Sequence, residues 1–300
     1  MKRFLRILFG WIAGLALALI LLGYAGRLHP AGDSLAVFRA YLVWVLAGAG
    51  LGLWITGRRR WAAAAVVVAA GIFATLGILP FAAGSVPGRA GETGHVYRHY
   101  QKNVLWMNDR TADLAADILA RDPDTVTLQE VRSPTGDSLR HALEAVYPAR
   151  HYCALEGVEV LSRWPMIEGT GHCLRGLAAM QVEGPEGPLW VVSMHLRWVY
   201  PFDNAAQVAE LLPDLARLEG PKILGGDFNA PPWTSAARAI AQAAQVERVG
   251  RVAVSLVKVG GLLRVPIDHV YATGGRGVSE RLPLIGSDHR GIWSEFSIQP

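Results

Sequence analysis

Uncharged stretches dominate the first third of the chain. Residues 7–26, 40–57 and 61–88 are runs of 20, 18 and 28 residues without a charged side chain. A helix of about 20 apolar residues crosses the hydrocarbon layer of a bilayer. The runs therefore predict three transmembrane helices, and we expect residues 1–88 to be a membrane anchor. The alternative is a secretory signal peptide followed by two buried helices, but no small-residue cleavage site follows the first run.

Basic residues at the ends of these runs predict the orientation. One set of ends carries six of them and the other set carries three. The six are Lys2, Arg3, Arg6, Arg58, Arg59 and Arg60, and the three are Arg27, Arg39 and Arg89. Since basic residues are retained in the cytoplasm, the amino terminus should lie there. Three crossings of the membrane would then place residues 95–300 outside the cytoplasm, in a periplasm or at the cell exterior.

A different pattern follows a Gly-rich polar linker predicted at residues 89–94. Short apolar segments predict strands at residues 103–108, 124–131, 159–164, 177–182, 189–196, 222–227, 267–272 and 291–298. Amphipathic segments predict helices at residues 111–121, 135–146, 203–218 and 234–245, the last with Thr234 or Ser235 as its N-cap. Strands outnumber helices about two to one, which favours packed β-sheets flanked by helices in one domain, residues 95–300.

Charge is distributed unevenly between the two regions. The whole chain carries +4, but nine of its 29 basic and two of its 25 acidic residues precede residue 95, which leaves the domain at −3. Long nucleic acids are held mainly by lysines and arginines, so this domain is a poor candidate for a general polyanion binder. Its two cysteines, Cys153 and Cys173, could pair in an oxidising compartment or remain buried thiols.

Polar residues of similar chemistry recur near the carboxyl ends of the predicted strands, where scaffolds present functional groups. They are Asn108, Glu130, His195, Asp227, Asn229, Asp268, Asp288 and His289. Each has a structural explanation when taken alone, and "GGDFN" also fits a turn because Gly225 and Gly226 permit positive φ. Together they offer hard oxygen ligands for Mg²⁺ or Mn²⁺ and histidines that can move protons. That combination suits hydrolysis of phosphate esters.

The ordered segments "VLWMN", "TLQEV", "VLSRWP", "VVSMHL", "GGDFNAPP", "IDHVYA" and "GSDHRGIW" span residues 104–293. The series resembles the endonuclease/exonuclease/phosphatase superfamily, also called the DNase-I-like fold, and is most similar to membrane-anchored bacterial members. The resemblance covers residues 100–298. It implies a four-layered α/β sandwich with two central β-sheets and an active site at one edge.

The resemblance also implies ligands for the metal and the phosphate. Glu130 matches the metal-binding glutamate, Asn108 the asparagine beside it, and Asp288 the acidic residue that completes the metal-side cluster. Asn108 would also touch substrate. One departure is Arg110, which stands where some nucleases carry a second acidic ligand, so a second metal ion is in doubt.

The same resemblance implies the catalytic groups. His195 matches the histidine that binds the phosphate or assists the leaving oxygen. Asp227 and Asn229 match the pair that orients the attacking water and holds the phosphate. His289 would be the general base or a phosphate-binding histidine, with Asp268 fixing its tautomer.

The sequence thus predicts a membrane-anchored, Mg²⁺-dependent phosphoesterase that uses direct in-line attack by water. Aromatic residues after His195 (Trp198, Tyr200 and Phe202) and the apolar segment before Asp268 favour lipid-borne or small phosphoesters as substrates. An extracytoplasmic nuclease acting on DNA or RNA is the less favoured alternative. A non-catalytic binding or sensor protein should have lost site residues, and a channel is poorly supported by spans without an acidic residue. We predict no protein partner.

Overall fold

A computed structural model describes residues 1–77 and 94–298 of the chain. Four helices form the amino-terminal region: α1 (Lys2–Leu22), α2 (Ala31–Val37), α3 (Arg39–Ile55) and α4 (Arg59–Thr75). Helices α1 and α4 both pack against α3. Large apolar side chains on these helices face outward, including Trp11, Trp44 and Trp61.

The expectation of three transmembrane helices is not met by the described residues. Helix α1 alone is long and apolar enough to cross a bilayer, and α2 and α3 would count as a second span only as a pair bent by 64°. The bend lies at Phe38, where the helix is interrupted. Helix α4 ends at Thr75, and residues 78–88 of the third run, with most of the predicted linker, lie outside the described residues. Multi-pass membrane localisation is therefore unsupported.

Residues 94–298 contain two six-stranded mixed sheets. The first has the order β13-β14-β1-β2-β4-β3 and the second the order β5-β6-β7-β8-β12-β9, while β10 and β11 form a separate hairpin. In chain order the strands are β1 (Tyr97–Asn103), β2 (Thr125–Gln129), β3 (Ala149–Cys153), β4 (Val158–Ser162), β5 (His172–Leu174), β6 (Leu177–Gly184), β7 (Gly187–His195), β8 (Lys222–Asp227), β9 (Glu247–Arg248), β10 (Leu256–Lys258), β11 (Leu263–Val265), β12 (Asp268–Ala272), β13 (Arg276–Arg281) and β14 (Ile292–Ser297).

Helices cover the outer face of each sheet. Helices α5 (Thr111–Arg121) and α6 (Thr135–Leu143) lie on the first sheet, and α7 (Asn204–Arg217) and α8 (Ser235–Ala244) lie on the second. The two sheets pack face to face over an apolar core that includes Val160, Met180 and Val191. Two mixed sheets flanked by helices make this an α/β sandwich, as the sequence predicted.

Most predicted elements are found within a few residues, but the first predicted strand is wrong. Residues 103–108 leave the sheet, and the strand that enters it is β1, Tyr97–Asn103, parallel to β2. The inward-facing His99, Gln101 and Asn103 of β1 are polar, so the strand lacks an alternating apolar pattern. The predicted cap is correct, because Thr234 accepts a hydrogen bond from the Ala237 amide at the start of α8.

The two glycines of "GGDFN" lie within strand β8 and not in a turn. A methyl group at Gly225 would overlap the side chains of Thr127 and His99 on the opposite sheet. A methyl group at Gly226 would overlap the backbone of Met194 in the neighbouring strand. These glycines therefore permit close packing between and within the sheets.

Residues 29–41, which include α2 and the start of α3, hold the amino-terminal helices against the sandwich through non-covalent contacts. We call these residues the connector. The Asp33 carboxylate accepts hydrogen bonds from the amides of Ser235 and Ala236 in the first turn of α8. The Trp233 indole donates to the Ala36 carbonyl at 2.7 Å. Val37 packs with residues of the β10–β11 hairpin. The connector is thus packed into the sandwich, next to the loop that follows Asp227.

A disulfide joins the edges of the two sheets. Cys153 ends β3 and Cys173 lies in β5, and their Cα atoms are 5.5 Å apart. The pairing resolves the alternatives left open by the sequence. The bond links the two sheets at an edge of the sandwich.

Candidate active site

Strand register brings three predicted residues together at one end of the second sheet. Asp227 is paired across the sheet with His195 of β7 and with Asp268 of β12. Paired residues of neighbouring strands project from the same face, and here that face meets the first sheet. Three chemically active side chains are thus presented together by rigid elements.

The first sheet contributes Glu130, which follows β2 directly. Its φ of 59° is the left-handed conformation that non-glycine residues rarely adopt. Asn103, the last residue of β1, donates from Nδ2 to Glu130 Oε1 at 3.0 Å and to Asp227 Oδ2 at 3.1 Å. Asn103 therefore connects the acidic groups of the two sheets.

Asn108 is not among the residues that line the pocket with Glu130, so the structure does not bring it to the predicted position. Its amide donates to the carbonyls of Val104 and Ile285, and its Oδ1 accepts from the Arg110 amide. These contacts hold a loop and leave its amide turned toward the backbone. The predicted strand ended five residues too late, and the asparagine assigned to the site shifted with it.

His289 is held by Asp268 in a buried pair. The His289 Nδ1 to Asp268 Oδ2 distance is 2.8 Å, and Gln101 donates to the other Asp268 oxygen at 3.1 Å. His289 Nε2 then lies 3.7 Å from Asp227 Oδ2. The arrangement fixes which imidazole nitrogen points into the site.

Burial and nearby charges shift the pKa values of Asp227, His289 and His195. Burial raises the pKa of Asp227 to about 7. Burial disfavours the imidazolium of His289, but the Asp268 and Asp227 carboxylates outweigh it and raise its pKa to about 10. Burial also lowers the pKa of His195. A carboxyl group able to accept a proton near neutrality thus lies beside a protonated imidazole.

Two further predicted residues border this cluster. His195 Nε2 is 3.8 Å from Asp227 Oδ2 and 4.0 Å from Glu130 Oε1. Asn229 has a left-handed φ of 47°, and its backbone amide donates to Asp227 Oδ1 at 2.9 Å. Its side-chain amide donates to the Leu196 carbonyl. Strained backbone at both Glu130 and Asn229 is typical of functional sites.

Asp288 lies on the rim of the site. Its carboxylate forms an ion pair with Lys258 of the β10–β11 hairpin. The Lys258 ammonium group therefore neutralises the Asp288 carboxylate, which the sequence predicts to bind a metal ion. Glu130 and Asp288 both line the same pocket of about 460 Å³, together with Asp227, Asn229, His195 and His289.

The donor set suits a hard divalent cation. Glu130 keeps 23% of its side chain exposed toward the pocket, so its carboxylate is accessible to an ion. Asp227, Asp268 and His289 also have ligand atoms within 4.8 Å of one another, but His289 and Asp268 already bond each other. Glu130 and Asp288 remain the predicted metal-binding pair, and an ion at Asp288 would have to displace the Lys258 ammonium group.

Lys102 supports the site and was missed from the sequence. Its buried ammonium group donates to the carbonyls of Pro283, Leu284 and His289, so it holds the loop that carries Asp288 and His289. Burial lowers its pKa to about 8. No sequence signal identified Lys102, because the adjacent Asn103 was not among the predicted site residues either.

Comparisons with known proteins agree with this geometry. A model of the Endonuclease/Exonuclease/phosphatase family matches residues 100–289. No curated protein sequence matches the chain. Three solved structures, each 14–17% identical, share the fold.

The three solved structures are those of different proteins. A beta toxin variant of Staphylococcus aureus with bound magnesium ions has a TM-score of 0.55 over 68% of this chain and 100% of its own. Sphingomyelinase C from Streptomyces griseocarneus has a TM-score of 0.53 over 68% and 100%. TDP2 of D. rerio complexed with a single-strand DNA product has a TM-score of 0.54 over 67% and 99%. The family model covers more than half of the chain, and the chain belongs to the endonuclease/exonuclease/phosphatase family.

Proposed function

We propose that this protein is a membrane-anchored, Mg²⁺-dependent phosphoesterase that acts on lipid phosphoesters. Membership of the family supports metal-dependent hydrolysis of a phosphoester. The finer assignment rests on how the pocket is joined to the amino-terminal helices.

The chemistry follows from the protonation tendencies of the site. Asp227, with a pKa near neutrality, accepts a proton from the attacking water and is oriented by Asn103 and the Asn229 amide. His289, held protonated by Asp268, binds a phosphate oxygen as a cation and stabilises the charge that develops there. Glu130 and Asp288 would hold Mg²⁺, which neutralises phosphate charge. His195 is placed to bind the phosphate or to assist the leaving oxygen.

The exposed surface of the amino-terminal helices supports a membrane location. Helix α1 is an uninterrupted helix of 21 residues that contains an 18-residue window with a mean hydropathy of 2.3. Helices α3 and α4 present apolar side chains to the surroundings, among them Val45, Leu51 and Val67. In water such a surface would favour aggregation, whereas in a bilayer it matches the lipid chains.

The contact between helix α3 and the β10–β11 hairpin carries the assignment to lipid substrates. The hydroxyl of Tyr41, in the first turn of α3, accepts from the Arg264 amide at 2.6 Å and donates to the Leu262 carbonyl. Leu256 and Lys258 of the same hairpin line the pocket. The pocket wall is therefore fixed to the end of a helix that packs against α1, the helix that we propose as the membrane anchor.

Apolar side chains continue along this rim. Val259 and Leu262 at the tip of the hairpin are 70% and 78% exposed. Tyr200 lies beside the connector, where its carbonyl accepts from Ser34, and Phe202 is also exposed. Side chains of this kind insert at the depth of lipid headgroups. The rim would then hold the pocket open toward the bilayer surface.

A comparison of substrates tests the proposal. The full-length chain in detergent should hydrolyse phospholipids in vesicles, should lose this activity with EDTA and should regain it with Mg²⁺. Replacing Leu262 by Asp should lower hydrolysis of vesicle lipid while sparing a soluble phosphodiester. The matched control is Leu119→Asp, which changes an exposed leucine on α5.

The competing outcome is a nuclease. Efficient degradation of duplex DNA near physiological salt, with vesicle lipids untouched, would replace the lipid assignment. Failure of EDTA to inhibit any activity would instead remove the metal-dependent mechanism.

A further inference from the structure

A groove of about 470 Å³ runs along the amino-terminal helices. Its lining residues are distant in sequence from the catalytic residues. It is lined by α1, by Leu46 and Leu53 of α3, and by the start of α4. Gly10 and Gly14 form part of its α1 wall, and a methyl group at either position would meet no atom within 4 Å. The groove is therefore open space that the side chains of residues 1–77 and 94–298 do not fill.

One end of the groove is basic. Arg6 and Arg58 line it there, beside Trp61, and the remaining lining residues are apolar. Arg6 donates from Nη2 to the Thr56 carbonyl at 2.9 Å, while its Nε is buried without a hydrogen-bond partner among the described residues. A buried donor of this kind requires an acceptor.

Among the described residues, none supplies an acidic partner at this end. Asp33 is the only acidic residue in the first 77, and its carboxylate is bonded to Ser235 and Ala236 of the sandwich. Six basic residues lie near the same end: Lys2, Arg3, Arg6, Arg58, Arg59 and Arg60. The charge of the groove is thus balanced by something other than this part of the chain.

We propose that the groove binds an anionic phospholipid, with the headgroup phosphate at Arg6 and Arg58 and one acyl chain along Gly10 and Gly14. The distance along α1 from Arg6 to Leu17 is roughly 17 Å, which accommodates much of one acyl chain. Basic pockets between membrane helices bind anionic headgroups in this way. The site needs the membrane location proposed above but not the proposed phosphoesterase activity.

Lipid binding to the full-length chain tests the site. Native mass spectrometry in a neutral detergent, with EDTA present to prevent turnover, would compare dioleoyl phosphatidylglycerol with dioleoyl phosphatidylcholine. We expect phosphatidylglycerol to bind roughly 30-fold more tightly, since its headgroup has a net negative charge that both arginines attract, whereas the choline ammonium group cancels the phosphate charge of phosphatidylcholine. The double variant Arg6→Gln/Arg58→Gln should lose the preference, whereas Arg3→Gln should keep it.

A second pair of variants separates the groove from general contact with lipid. Gly14→Leu fills the groove and should weaken binding of both lipids. Gly48→Leu is the matched control, because a methyl group at Gly48 also meets no atom within 4 Å and Gly48 does not line the groove. Equal affinity for the two lipids, or normal binding by Gly14→Leu, would overturn the proposal. Binding as expected by a chain without phosphoesterase activity would leave this site standing and remove the proposed function alone.

Discussion

Removing the carboxylate of Asp33 should loosen both the connector and the catalytic loop. Asp33 is buried, and its Oδ1 accepts from the Ser235 amide and hydroxyl at 2.7 Å each, while Oδ2 accepts from the Ala236 amide at 3.1 Å. A hydrogen bond to a charged group contributes about 1.5–3 kcal/mol, and such contributions are not additive. Asp33→Ala should therefore lower the free energy of unfolding by about 3 kcal/mol.

The same change should reduce catalysis, although Asp33 is a positioning residue that does not touch the substrate. Residues 228–234 connect Asp227 to α8, and Asn229 in this loop keeps a left-handed φ. Asp33 and Trp233 fasten the far end of the loop to the connector. We expect a fall in kcat of roughly 10- to 100-fold with a smaller change in KM, because displacement of catalytic groups by about 1 Å has effects of this size.

Hydrogen exchange measured by mass spectrometry on full-length protein in detergent would show the local effect. In Asp33→Ala, peptides covering residues 228–244 should exchange faster, while peptides covering β2 and β4 should not. Asp33→Asn keeps an acceptor and should recover part of kcat. Asp113→Ala removes an exposed carboxylate from the first turn of α5 and serves as the control. If Asp33→Ala matches Asp113→Ala in stability, exchange and kcat, the connector does not position the loop.

Four further variants test the site and the core. Asn103→Ala should lower kcat at least tenfold with a small loss of stability, whereas Asn108→Ala should lower the melting temperature with kcat nearly unchanged; the reverse pattern would restore the sequence-based assignment. Cys153→Ser should lower the free energy of unfolding by roughly 3 kcal/mol, measured by urea denaturation with and without a reductant that removes the difference. Burial raises the pKa of Glu159 to about 7, above its usual 4.5, despite the nearby Arg140. Its stabilising effect is complete below pH 4.5 and is lost as the pH rises through 7, so Glu159→Gln should be more stable than the native chain at pH 8 and not at pH 4.

Apolar strands and amphipathic helices were predictable because the side chains that they bury are apolar and recur with the period of a strand or a helix. Helix α5 and strand β8 begin and end at the predicted residues. Strand β1 was not predictable in this way, since it is buried by polar contacts with the other sheet. Helix α2 was also missed, because Asp33 and Ser34 have the composition of a loop and gain their role only by contact with residues about 200 positions away.

The same distinction applies to the site. Glu130, His195 and Asp227 follow or end strands with clear apolar patterns, whereas Asp268 begins such a strand and His289 precedes one. The structure brings these five residues together. Asn103 and Lys102 end a strand without such a pattern, so their place beside the site depended on the pairing of β1 with β2. The two asparagines in residues 103–108 could be distinguished only once that register was known.

The inward face of β1 changes from apolar to polar along its length, and this gradient should govern how freely the protein can change in evolution. Tyr97 packs in the apolar core, His99 bonds Thr125 and Thr127, and Gln101 bonds Gln129. An apolar contact accepts many replacements of similar volume, whereas a buried hydrogen bond fails when either partner changes. Sequence drift should therefore accumulate at the Tyr97 end of the sandwich. New substrate preferences would then arise through changes in the rim loops, because a single substitution among the hydrogen-bonded residues at the catalytic end would break a buried hydrogen bond.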